Sequence, residues 1–135
     1  MQLILSRQAG VVDATGASTV LAPLDAALLA WLAIEGPTSR ARLAALLWPE
    51  HQAAAARNTL RQRLHQLHKR LGGPVVTGSA TLALAEGVAH DLADADTLLD
   101  GVAVEVGGEF AAWLDQQRGR RGARVRRSLV ELARM

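Results

Sequence analysis

Between positions 56 and 71 the chain reads ARNTLRQRLHQLHKRL, a run in which Arg, Asn, Gln, His and Lys recur with no acidic residue among them. Successive residues of a helix lie about 100° apart, which gathers Asn58, Arg61, Gln62, His65 and Lys69 into an arc of roughly 100°. Leu60, Leu64, Leu67 and Leu71 gather on the other side. Planar side chains with paired donors and acceptors have a definite chemistry. Arg can bridge O6 and N7 of guanine, Asn or Gln can bridge N6 and N7 of adenine, and Arg or Lys can meet phosphate. A solvated surface needs none of this, and an isolated basic helix is more often only that. The acid-free stretch around this one, together with a short helix before it and a hairpin after it, favours DNA; charge alone would not.

The formal net charge of +2 conceals strong segregation. Residues 1–50 carry three basic and four acidic side chains. From His51 to Ala85 there is no Asp or Glu, while Arg57, Arg61, Arg63, Lys69 and Arg70 all fall in that stretch. From Glu86 to Asp115 the sign reverses, with eight acids and no Lys or Arg. The last twenty residues then hold seven Arg against the single acid Glu131. Such blocks imply a polyanionic partner for one part and an electrostatic match, internal or with a partner, for another.

The elements that must hold the polar arc are legible in outline. Leu3 to Leu5, Val11 and Val12, and Thr19 to Leu21 read as short strands separated by Gly10 and Gly16, hence a small antiparallel sheet. Pro23 suits a first helical turn, and Leu24, Leu28, Leu29, Trp31 and Leu32 form a first helix ended by Gly36 and Pro37. Thr38 or Ser39 can cap a second, short helix with Leu43, Leu46 and Leu47 on its apolar side, stopped by Trp48 and Pro49. The third helix spans about Ala53 to Leu71 and ends at Gly72, Gly73 and Pro74. VVTGSATLAL then signals a hairpin turning at Gly78 and Ser79. Beyond it, Asp91 to Leu99 reads as a short helix capped by Asp91, and residues 101–108 as a loop or brief strand. A long last helix carries Phe110, Trp113, Leu114, Val125, Leu129 and Leu132, with Gly119 and Gly122 weakening its middle.

The expected class is therefore α+β, with a boundary near residue 88 dividing 1–88 from a linker and helical extension at 89–135. A short helix followed by a longer polar-faced one is the helix-turn-helix arrangement, whose second helix enters the major groove. Thr38, Ser39, Arg40 and Arg42 at the start of the second helix put amides, hydroxyls and guanidinium groups where a phosphate could dock.

The same residues resemble a known family. LAPLDAALLAWLAIEGPTSRARLAALLWPEHQAAAARNTLRQRLHQLHKRL is similar to the DNA-binding domain of SARP-type bacterial transcriptional activators, a branch of the OmpR-like winged-helix family. LALAEGVAHDLADADTLL looks like that family's exit from the wing, and EFAAWLDQQRGRRGARVRRSLVELA resembles the first helix of the bacterial transcriptional activator domain. The resemblance implies a winged helix-turn-helix with a recognition helix at about 53–71 and a wing at 75–85. It places Arg57, Asn58, Arg61, Gln62 and His65 near bases or flanking phosphates and Lys69 nearer backbone. It further implies double-stranded DNA with direct repeats as partner, a homodimer or tandem assembly on it, contact with RNA polymerase, and a cytoplasmic, nucleoid-associated location. The wing has no basic side chain, so its contacts would run through amides or hydroxyls. Arg121 and Arg124 stand where the family's helix faces its repeat core, and the Arg-rich end can instead fold against segment 86–115 or touch DNA.

Other chemistries find little support. With zero Cys there is no disulfide, thiolate nucleophile or Cys-ligated metal. His65 and His68 at i and i+3 lack a placed third ligand, so surface roles are expected for them as for His51 and His90. Asp91, Asp94, Asp96 and Asp100 lack the glycine and terminal glutamate of a calcium loop. Neither GxxxxGK[ST] nor GxSxG occurs, and no nucleophile, base and orienter set stands out, so no enzyme, cofactor or metal is expected. Trp31, Trp48, Phe110 and Trp113 are flanked by aliphatic residues and read as core or interface anchors rather than base-stacking platforms. The N-terminus lacks the basic start and apolar length of a signal peptide, which leads to the expectation of a soluble intracellular protein. The alternatives to specific DNA readout are a protein-interaction or dimerisation module and a non-specific nucleic-acid binder.

Overall fold

The computed structural model describes residues 1–93 and 95–133, the side chains of residues 124–132 excepted. It is a mixed α+β structure with four helices and two small sheets. Strands β1 (Gln2–Ile4), β2 (Gly10–Val12) and β3 (Ser18–Val20) form an antiparallel meander, which leads into helix α1 (Pro23–Glu35). A two-residue strand β4 (Thr38–Ser39) precedes α2 (Arg40–Leu47), and α3 runs from Ala53 to Leu71. Strands β5 (Val76–Thr77) and β6 (Thr81–Leu84) make a hairpin, β7 (Ala89–His90) follows, and α4 spans Gly108–Ala133. The sheets are ordered β3-β2-β1-β7 and β4-β6-β5.

Helix α1 is the centre of the molecule. Every residue from Asp25 to Leu32 is buried, because the β1–β3 sheet, the other helices and the hairpin surround it. Pro23 starts it without needing an amide partner, and the Gly36 amide closes it on the Leu32 carbonyl at 3.0 Å. Helix α2 has the side-chain cap expected of it, since Ser39 Oγ accepts from the Arg42 amide at 3.1 Å. Thr38 does a different job: it pairs with Leu82 of β6, and its hydroxyl accepts from Trp31 Nε1 at 2.9 Å. Helix α3 buries Ala56, Leu60, Leu64 and Leu67 in one stripe and ends where Gly72 takes a left-handed conformation at φ 75°.

Segment 91–99 differs from expectation. No helix forms among its described residues. The Asp91 carboxylate, expected to cap such a helix, accepts instead from the Leu5 amide at 2.8 Å, the Ser6 amide at 3.2 Å and the Ser6 hydroxyl at 2.5 Å. Just upstream, β7 pairs in parallel with β1, and further on the Leu99 and Asp100 amides donate to the Leu5 and Ser6 carbonyls. The segment thus continues along the chain leaving β1, and burial of Leu92, Leu98 and Leu99 secures it. Backbone groups recruited by that edge are lost to helix formation.

Helix α4 is continuous through Gly119 and Gly122. Its first half is pinned by buried Phe110, Trp113 and Leu114, and by two arginines. Arg118 donates to the Leu98, Leu99 and Val102 carbonyls, and Arg121 to those of Leu92 and Ala95. Charge-assisted bonds of this kind are about twice as strong as neutral ones, and here they flank Gly119. The start of the Arg-rich end therefore folds against segment 86–115, and one buried cluster contains residues from Leu3 through Leu114. Asp94 and the side chains of Arg124, Val125, Leu129 and Leu132 lie outside the described residues. No described helix is long and apolar enough to cross a membrane.

Candidate nucleic-acid interface

Helix α3 presents Arg57, Asn58, Arg61, Gln62, His65, Gln66 and Lys69 to solvent, opposite the Leu stripe. Burial of the four apolar positions fixes the helix rotation, so the polar residues face outward together. Arg61, Gln62, His65 and Gln66 line a shallow concavity at the middle of this face. On the same face, Arg61 Nη2 donates to Asn58 Oδ1 at 2.9 Å.

Two of the five cations in the acid-free stretch are spent on holding the helix rather than on its outer face. Arg63 Nε lies 2.7 Å from Asp25 Oδ1, a carboxylate only 7% exposed in the first turn of α1. Arg70 Nη2 donates to the Val20 carbonyl at 2.7 Å. The pairing sets the α3 rotation against α1, because a carboxylate buried without a partner carries a large desolvation penalty. The sequence reading counted these arginines in the acid-free stretch, outside the polar arc, and assigned them no role. A usable signal exists: each follows a buried leucine, Leu60 or Leu67, by three positions, about 60° from it on the helix.

The start of α2 is tied to the hairpin tip. The Arg40 amide donates to the Ala80 carbonyl and Arg40 Nε to the Ser79 carbonyl, both at 2.8 Å. Ser39 uses its hydroxyl as the α2 cap. Arg42, expected at a phosphate, faces α4 and forms a two-pronged ion pair with Glu109, with Nη1 to Oε1 at 2.9 Å and Nη2 to Oε2 as the second contact. The pair raises the Arg42 pKa and lowers that of Glu109, chiefly through these hydrogen bonds. Both groups are largely solvent-exposed, so the pair adds little stability.

His68 is not the plain surface residue that its spacing suggests. It is half-buried at the end of α3, and its Nε2 accepts from the Val76 amide at 3.2 Å, joining the helix to the first strand of the hairpin. Burial, and secondarily the neighbouring His65, depress its pKa below the usual 6.5. An imidazolium cannot accept this bond. With the folded pKa depressed, the unfolded chain binds the proton more readily as pH falls. The stabilisation is whole above about pH 6.5 and declines as pH drops through the lowered folded value. Urea titrations between pH 7.5 and 5 should show a loss of about 1 kcal/mol that His68→Gln removes, since its amide oxygen accepts without titrating. An identical pH profile in that variant would exclude the assignment.

Among the described residues, no three His, Asp or Glu side chains converge on a metal-binding geometry. Trp31, Phe110 and Trp113 form one aromatic cluster between α1 and α4, with Trp31 and Trp113 centroids 4.7 Å apart. Trp113 Nε1 donates to Glu35 Oε1 at 2.7 Å, and Trp48 is half-buried against the core. Compared with known proteins, the chain matches no family model, no curated protein and no solved structure.

Proposed function

We propose that the chain is a winged-helix DNA-binding unit of a bacterial transcriptional regulator, of the kind that its sequence resembles, with α3 read into the major groove. The observation that carries this reading is the outer face of α3: seven exposed polar or basic side chains with no acid among them, its rotation fixed by a buried Leu stripe and the Arg63–Asp25 pair. A helix of this length extends about 28 Å and, at roughly 10–12 Å across, matches the width of the B-form major groove. The order of elements supports the same reading: a small sheet, α1, a short α2 beside α3, then a hairpin whose tip holds the start of α2. In the fold proposed here that hairpin is the wing.

Arg57, Arg61 and Lys69 supply charge along the face, and Asn58, Gln62 and His65 supply hydrogen-bonding edges. Ser39 and Arg40 at the start of α2 lie where a phosphate would approach. Tandem binding to direct repeats and contact with RNA polymerase follow from the resemblance alone and belong to the same proposal.

Fluorescence anisotropy with random duplex and with a selected duplex pool, at several salt concentrations, tests it. Neutralising three to five phosphates should lower affinity roughly 40- to 500-fold between 50 and 200 mM salt, with one sequence retained longest. No binding near 50 mM salt would reject DNA binding and direct attention to an acidic protein partner for the same face.

A further inference from the structure

The Asn58–Arg61 contact points to a division of labour within the reading face. We propose that Asn58 is a positioning residue for Arg61, and that together they select guanine rather than reading an adenine and a guanine separately. This rests on the DNA-binding reading above and names the base class at the centre of the helix.

The two residues stand one turn apart on α3, and both are exposed. Side chains at i and i+3 on a helix are neighbours, so the contact needs no distortion. Arg61 Nη2 reaches Asn58 Oδ1 at 2.9 Å, within the ordinary range for a hydrogen bond. Adenine recognition by Asn requires the amide oxygen to accept from N6 while the amide nitrogen donates to N7. With a guanidinium against Oδ1, an adenine amino group brought to that oxygen would abut a second donor carrying full charge. The arrangement therefore disfavours adenine at Asn58.

It favours guanine at Arg61 for the converse reason. A guanidinium has five N–H donors in a planar fork, and one bond to Asn58 leaves enough of them for a bidentate approach to O6 and N7. Holding the fork in place beforehand also removes rotamer freedom that binding would otherwise have to freeze. Arg57, one turn before Arg61, is a donor only and offers the fork no competing acceptor. Gln62 and His65, beside Arg61 in the same concavity, remain to read flanking positions.

Anisotropy measurements on a selected duplex test the proposal, with each guanine replaced in turn by 7-deazaguanine and each adenine by 7-deazaadenine. One guanine position should show a loss of roughly ten-fold in the unmodified protein, and Arg61→Ala should abolish it. Asn58→Ala should shrink that penalty to about three-fold while leaving every adenine penalty unchanged. Asn58→Asp keeps an acceptor for Arg61 but lacks the amide donor, so it should retain the guanine penalty while weakening all duplexes alike. If Asn58→Ala erases an adenine penalty and leaves the guanine penalty intact, Asn58 reads its own base and the proposal is overturned. The same follows if no guanine position responds although the duplex is bound selectively. Absence of any duplex binding would instead remove the DNA reading itself, and this inference with it.

Discussion

Phe110→Ala is expected to cost about 3–5 kcal/mol of folding stability, with a fall in Tm of roughly 10–20 °C. Phe110 is fully buried, the largest side chain in the core to be so. Its ring centroid stands 5.2 Å from that of Trp113 and 6.3 Å from that of Trp31, so truncation empties volume between α1 and α4. The lost transfer energy and the residual cavity add. Trp31 and Trp113 report the change directly by fluorescence, while far-ultraviolet ellipticity follows the helices at large. Coincident transitions, both shifted, would place residues on either side of position 88 in one cooperative unit. Early loss of the tryptophan signal with most ellipticity retained would mean that α4 releases separately. A shift below 1 kcal/mol would contradict the packing described for the cluster.

The helices were legible because periodicity and punctuation agree. The leucines of α3 repeat at four and three positions, and Gly72, Gly73 and Pro74 end it, so the bounds 53–71 agree with the structure. The outward direction of Asn58, Arg61, Gln62, His65 and Lys69 follows from the same stripe. What periodicity could not convey is pairing over long sequence separations. Asp91 has the composition of a helix cap, yet its carboxylate is taken by Leu5 and Ser6, more than eighty positions away. Arg63 and Arg70 lie off the polar arc in the acid-free stretch, and only the structure shows that Asp25 and the Val20 carbonyl engage them. Arg42, expected at a phosphate, pairs with Glu109 at the start of α4. The long last helix is continuous as read, and arginine-to-carbonyl bonds from Arg118 and Arg121 hold it where Gly119 and Gly122 weaken it locally. At Asp91 tertiary partners outcompete a local preference, and a single sequence carries no record of such partners.

Gly78→Ala tests how firmly the hairpin is coupled to α2. Gly78 has φ 116°, a region that side-chain-bearing residues rarely enter, and a Cβ there would lie 1.9 Å from the Thr81 carbonyl oxygen. Backbone cannot yield as a flexible side chain would, so the turn must reopen, at about 2–3 kcal/mol. The damage should not stay at the tip. The residues that follow, Ser79 and Ala80, offer their carbonyls to Arg40 Nε and the Arg40 amide, so reopening the turn releases the first residue of α2. Hydrogen exchange at the Arg40 amide, and at the Ala85 amide that donates to the Val75 carbonyl, should accelerate roughly 30- to 150-fold, because every 1.4 kcal/mol is a factor of ten. Amides in the middle of α3 should be affected far less, since buried Leu60 and Leu64 hold that part of the helix. Acceleration confined to residues 77–81 would show that α2 holds its start through the Ser39 cap alone. In the DNA-binding reading the two results separate further: release of Arg40 lowers affinity for every duplex, whereas an intact α2 leaves binding to α3 and its guanine-selecting pair undisturbed.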